Sequence, residues 1–194
     1  QDTTAEKNEK EAVILWASDA VRDEGAMIAF GFDLLGLEPV WNGRGILTGV
    51  QRIPLKNTHK RRDVVFVTSG LFRDLYGAQL DWLDKSVLLA LDGASTTIQK
   101  SYPELASPLA EALKPLEKLA TGGTESLKEN QVAKNWVKET QKLLSEGVAS
   151  SQAGREASLR IFGTAPGSYG AGVNKLAERS GSWKDRMEIA KSYL

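Results

Sequence analysis

Two stretches of this sequence hold residue types that could do chemistry. The first is RIFGTAPGSYGAGV, Arg160–Val173, with four glycines and a proline inside Gly163–Gly172. Glycine loses more conformational freedom on folding than any other residue, so such a cluster marks unusual backbone angles or a close approach. Bare backbone there would admit a flat or bulky ligand, or a partner chain, with Ser168 and Tyr169 offering polar contacts. The plainer alternative is a helix–loop–helix connection whose glycines serve backbone geometry alone. Residue chemistry leaves both open. The loop is not a phosphate loop: Gly167–Gly172 has the G-x-x-x-x-G spacing, but Val173 and Asn174 stand where Lys and Ser or Thr are required. The dinucleotide pattern fails after Gly170 and Gly172. The esterase elbow fails because Pro166 lies two residues before Ser168.

The second stretch is TSGLFRD, Thr68–Asp74, which follows the strongest strand signal in the chain. Ligands of open α/β sheets gather at the carboxyl ends of the strands, where helix N-termini present free N–H groups. Ser69, Arg73 and Asp74 are therefore candidate ligand contacts. The alternative is that Ser69 caps a helix while Arg73 and Asp74 pair at the surface. His59, the single histidine, has no second histidine, cysteine or acidic cluster at metal spacing and reads as a solvated loop residue. In SWKDR, Asp185 beside Trp183 reads as a helix start. A metal here would depend on oxygen donors and at most one imidazole, so no metal ligands are assigned. No nucleophile–base–acid set is visible.

The elements that must hold these residues are legible from apolar periodicity. AVILWAS (Ala12–Ser18) reads as a buried strand entering a helix. RDEGAMIAFGFDLLGL reads as a helix with Met27, Phe30, Leu34 and Leu35 on one face. PVW is extended, NGRG a turn, and ILTGVQRIPL an edge or hairpin strand, since Pro54 would break a central ladder. KNTHKRR reads as a basic loop. DVVFVTSG carries the run Val64–Val67, expected of a central strand covered on both faces. LFRDLYGAQLDWLDKSVLLAL has helical spacing through Phe72, Leu75, Tyr76, Leu80, Leu83 and Val87. Beyond Ser101 the sequence gives only helical signals, including a stripe of Ala133, Trp136, Val137, Thr140 and Leu144, and SQAGREASLRIF as a helix leading into the glycine loop. The expected fold class is α/β. A parallel-sheet βα lobe over residues 12–93 is followed by a mainly helical lobe over 94–194, behind a disordered tail over 1–11.

Composition narrows the class. The 194 residues carry 25 Lys and Arg against 25 Asp and Glu. This balance argues against a nucleic-acid binder that relies on a large excess of positive charge. Hydrophobic residues make up 41%, as in globular proteins. The absence of cysteine excludes disulfides and thiolate metal sites. No apolar run approaches the roughly 20 residues of a membrane helix. The chain starts at Gln1 rather than Met, as a piece of something longer would.

Taken together, these segments resemble the large subunit of tetrapyrrole metal chelatases, the family of the cobaltochelatase large subunit and the magnesium chelatase H subunit. The resemblance is carried by VTSGLFRDLYGAQLDWLDKSV and by ASLRIFGTAPGSYGAGVNKLAERSGSWKDRMEIAKSYL, with LLGLEPVW, GVQRIPL and RRDVVFV as weaker echoes in the same order. It is loosest over 94–154. FGTAPGSYGAGV resembles the cobalt branch. The magnesium branch tends to S-N-A-x-G-S-Y-S-S-N-V, from which Gly163, Pro166, Gly170 and Gly172 depart.

The resemblance implies one C-terminal portion of a much longer cytoplasmic subunit. That subunit binds the tetrapyrrole and is where the metal enters the ring, Co2+ being a substrate. Separate AAA+ subunits use ATP and Mg, and this portion binds no cofactor. The implied partners are the tetrapyrrole, those ATPase subunits and the rest of the large subunit, with no nucleic acid and no membrane span. Ser69, Arg73, Asp74, Gly167, Ser168, Tyr169 and Asn174 would line the ring site. Asp185 would serve as a carboxylate that accepts a pyrrole proton or guides the metal. The family's glutamate motif for metal insertion has no match here. The alternatives are the magnesium chelatase H subunit, acting on protoporphyrin, and a non-catalytic docking module for the AAA+ partners that uses the charged face of Glu125–Gly147.

Overall fold

The computed structural model describes residues 10–55, 60–164 and Met187. Strand β1 (Glu11–Leu15) leads through α1 (Ala17–Arg22) and α2 (Ala26–Leu34) to a hairpin of β2 (Leu37–Trp41) and β3 (Leu47–Arg52). Next come β4 (Val64–Thr68), α3 (Gly70–Leu75), α4 (Gly77–Asp92), α5 (Ser95–Ser101), α6 (Ala106–Leu113), α7 (Gln131–Ser145), α8 (Ser150–Ala157) and β5 (Ile161–Gly163). Short 3-10 turns flank α6.

The class is α/β, with a parallel sheet ordered β1-β4-β5 and β4 in the middle. The run Val64–Val67 is thus the central strand. β2 and β3 pair antiparallel as a separate ribbon. Asn42 shapes their turn by accepting the N–H groups of Arg44 and Ile46. Burial alternates along the sheet. Val13, Leu15, Val64 and Phe66 are covered, with α2 and α4 supplying neighbours from that side. Each large side chain buried in this way contributes roughly 1.5–3 kcal/mol. The buried cluster continues without a break from Val13 through Leu91 and Trp136 to Ala157, so sheet and later helices share one core.

Several expectations give way to the structure. SQAGREASLRIF is not one helix: α8 ends at Ala157, and Ile161–Gly163 returns to the sheet as β5, a strand where only helix was expected. The face of α2 is rotated. Ile28, Gly31, Phe32 and Leu35 are buried, while Met27 and Phe30 face solvent. Gly31 is what permits this, since a Cβ there would fall onto the Phe66 ring. The long helix after β4 is broken at Tyr76 (φ −118°, ψ 36°), leaving Leu75 exposed. The stripe on α7 holds: Ala133, Trp136, Val137 and Thr140 are buried.

Of KNTHKRR, expected as a basic loop, Lys60, Arg61 and Arg62 are described. Arg61 is fully buried, and its guanidinium uses every N–H it has. It donates to both carboxylate oxygens of Glu125 (2.7 and 2.6 Å) and to the carbonyls of Leu35, Gly36 and Ile53. Arg52 does similar work nearby, donating to Asp92 (2.8 Å), Thr121 and the Gly122 carbonyl. These two arginines tie the ribbon and its return loop to the helices. The N-terminal tail lies outside the described residues up to residue 9. Glu11, expected within that tail, opens β1, and Lys10 pairs with Glu139 at 2.5 Å.

Candidate functional site at the carboxyl edge of the sheet

The parallel pairing of β4 with β5 brings the two chemistry-bearing stretches together. Thr68 and Gly163 are partners in register, so TSGLFRD and the start of the glycine loop leave the sheet side by side. The Thr68 hydroxyl donates to the Phe162 carbonyl (3.3 Å), and Arg73 donates to the Thr164 carbonyl (2.9 Å). Gly163 is glycine for a visible reason: a Cβ there would stand 2.7 Å from the Thr68 hydroxyl and 3.2 Å from its carbonyl. β1 ends at the same edge. The Leu15 carbonyl accepts the Ser69 N–H (3.2 Å), and Trp16, the next residue, is 36% exposed.

Each candidate of the first cluster has a defined place. Ser69 is buried, and its hydroxyl accepts the Phe72 N–H at 3.1 Å, an N-cap that satisfies one orphan donor of α3. Arg73 pairs with the neighbouring Asp74 at 3.0 Å, and both stay part-exposed. Ser69 is thus committed to its helix, whereas Arg73 and Asp74 combine a structural contact with access to solvent. Gly167, Ser168, Tyr169, Asn174, Asp185 and His59 lie outside the described residues. Among the described residues no group of three or more His, Cys, Asp or Glu is placed to hold a metal. No helix among them is long and apolar enough to cross a membrane.

The opposite end of the same strands is built differently. Asp63 immediately precedes β4 and Arg160 immediately precedes β5. They form a bidentate pair (2.6 and 3.0 Å) buried to 2% exposure or less. Asn135 donates to Asp63 (2.8 Å), and Glu139 lies 3.1 Å from Arg160. Burial acts to lower the Arg160 pKa. The hydrogen bond and charge of Asp63, joined by Glu139, outweigh it and hold that pKa above its ordinary value. Sequence reading missed this pair; its signal was opposite charges at the same offset before two strands. A groove of about 420 Å³ beside α7, lined by Tyr102, Leu127, Lys128, Val137 and Gln141 among others, contains none of the candidate ring-site residues and falls largely within the Glu125–Gly147 stretch expected as a docking face.

The profile of the CobN/Magnesium Chelatase family matches residues 2–194. The chain belongs to this family. It is 29% identical over 182 residues to the aerobic cobaltochelatase subunit CobN of Sinorhizobium sp, covering 92% of this chain and 12% of that protein. It is 28% identical over 183 residues to the H subunit of magnesium chelatase from Rhodobacter capsulatus, covering 94% and 12%. The catalytic subunit of cobaltochelatase from Mycobacterium tuberculosis superposes with a TM-score of 0.63 at 26% identity, over 95% of this chain and 12% of that one. The chain therefore spans 12% of the length of these family members.

Proposed function

We propose that this chain is part of the large, tetrapyrrole-binding subunit of an ATP-dependent cobaltochelatase, a cytoplasmic enzyme that inserts Co2+ into a corrin-type ring. The observation that carries this reading is the convergence of TSGLFRD and the first residues of the glycine loop on one carboxyl edge of a parallel sheet, joined by the Thr68–Gly163 register and the Arg73–Thr164 hydrogen bond. Ligands of open α/β sheets bind at such edges. Relatives named as cobalt and as magnesium chelatases match at near-equal identity, so identity does not choose the metal. What favours cobalt is the glycine loop, FGTAPGSYGAGV.

In this reading the chain's own residues position and orient the ring. Arg73, held by Asp74 and the Thr164 carbonyl, offers its remaining N–H capacity to a carboxylate or amide on the ring's periphery. Ser69 keeps α3 in place behind it. Tyr169, Ser168 and Asn174 add hydrogen bonds, and Asp185 accepts a pyrrole proton or guides the metal. ATP is hydrolysed on AAA+ partners, and this segment holds no nucleotide.

The test is a tetrapyrrole titration and a metal-insertion assay on the full-length protein with its ATPase partners. Tyr169→Ala and Asp185→Asn are expected to lower insertion with the fold intact, and cobalt is expected to be inserted in preference to magnesium. Wild-type rates in both variants would refute the site. Preferential magnesium insertion would refute the cobalt assignment and leave the ring-binding role standing.

A further inference from the structure

Among the described residues the sheet is covered on one face only. Ala12, Ile14, Val65, Val67 and Phe162 share the other face by register, Ile14 opposite Val67 and Val67 opposite Phe162. Ile14 is 45% and Phe162 50% exposed, and Val65 and Val67 between them are half-buried. A parallel sheet is ordinarily clad by helices on both faces, and a β4 run as apolar as Val64–Val67 fits a strand meant to be covered twice. The topology explains the bare face. Both crossovers, β1 to β4 and β4 to β5, advance across the sheet in one direction. Right-handed crossovers that advance one way set all their helices on one face. Cladding the other face by further right-handed crossovers takes chain that advances the opposite way, through strands added beyond β1.

Among the described residues that position is free, since β1 pairs only with β4. Around this edge the exposed Ile14, Trp16 and Met27 line one shallow crevice together with Asp19 and Asp23. The described residues up to Thr164 thus have the form of one half of a doubly wound sheet. The members of the family it matches are long enough to supply the other half, since this chain spans 12% of them.

We propose that the bare sheet face and the free β1 edge form an intramolecular docking surface. In the complete large subunit it is covered by a strand–helix unit of the same polypeptide, from outside these 194 residues, with an aliphatic and aromatic helix face turned to Ile14 and Phe162. This inference stands on topology and family membership and is independent of the ring-binding reading.

The test places the photocrosslinker p-benzoylphenylalanine at position 162 of the full-length protein, and in a second variant at position 14, with the crosslinked peptide mapped by mass spectrometry. The expected product has the mass of one chain, and its partner peptide lies outside residues 1–194. In parallel, a Phe162→Cys variant is expected to alkylate about tenfold more slowly in the folded protein than after unfolding in urea, because labelling then requires local opening. Four outcomes would overturn the proposal: a partner peptide inside residues 1–194, a product with the mass of two chains, a crosslink to an ATPase subunit, or no crosslink with alkylation at the unfolded rate.

Discussion

The two ends of the same three strands carry opposite kinds of polar chemistry. At the amino ends Asp63 and Arg160 are fully paired, buried and roofed by Asn135 and Glu139. At the carboxyl ends Thr68, Arg73 and Thr164 are hydrogen-bonded at an edge still open to solvent through Arg73, beside an exposed Trp16. A buried ion pair whose donors and acceptors are all used inside the protein has nothing left to offer a ligand. A part-exposed arginine with spare N–H groups does. The contrast separates residues that close the fold from residues that can face a substrate, although each set holds an arginine.

The largest expected effect falls at the closed end. Asp63→Ala leaves the Arg160 guanidinium buried without its carboxylate and is expected to cost roughly 3–5 kcal/mol. Urea unfolding of the variant would read this as a lower midpoint at an unchanged slope. Pairing it with Arg160→Met removes both buried charges and leaves Glu139 to Lys10, and the double variant is expected to be more stable than Asp63→Ala alone. A double variant as unstable as the sum of the singles would mean that the pair is not acting as a unit. Arg160 brings no pH dependence to the neutral range. Its folded pKa is raised, so its stabilisation is complete at every pH below its ordinary value and is lost only as pH rises through the raised one, far into alkali.

The second effect lies at the junction of the two motifs. Gly163→Ala sets a Cβ against the Thr68 hydroxyl and carbonyl, and such overpacking typically costs about 1–3 kcal/mol. Adding Thr68→Ala removes the nearer clash and leaves the carbonyl, so part of the loss is expected to return in thermal unfolding. No recovery would show that the backbone carbonyl alone sets the constraint.

Much of this arrangement was legible in sequence, and the misses have physical causes. β4 was plain because Val64–Val67 is an uninterrupted β-branched and aromatic run, and the α7 face was plain because its apolar positions alternate with charge. β5 was hidden because three residues are too few to show a period, and they follow a helical pattern directly. The α2 face was misjudged because AMIAFGFDLL is apolar nearly all round, so periodicity could not choose a side. Only the close approach of Gly31 to Phe66 chooses it. Arg61 read as a loop charge since its partners, Glu125 and three carbonyls, come from other parts of the chain. At the site, TSGLFRD and the glycine loop were each visible. Their contact was not, because it depends on the unseen β5.

A third, smaller effect tests the open end. Arg73→Ala removes a part-exposed hydrogen bond to the Thr164 carbonyl and is expected to cost only about 1 kcal/mol of stability. In the full-length protein the same change is expected to weaken tetrapyrrole binding about tenfold, the weight of one charge-assisted contact. Unchanged affinity would move Arg73 to the structural side of the comparison, alongside Arg160.

The smallest effect isolates what a buried polar group costs when it is not paired. Thr140 on α7 is fully buried, and its hydroxyl has no hydrogen-bond partner, unlike Asn135 on the same helix, which donates to Asp63. Valine has the same branched shape without the hydroxyl, and the two residues have similar helix propensity. Thr140→Val therefore removes an unrewarded desolvation and alters little else. It is expected to be neutral or to stabilise by up to about 1 kcal/mol, which for a chain of this size is a rise in melting temperature of about 2–4 °C. A fall of similar size would mean that the Thr140 hydroxyl has a partner in solution, so that this position belongs with the paired polar groups of the closed end.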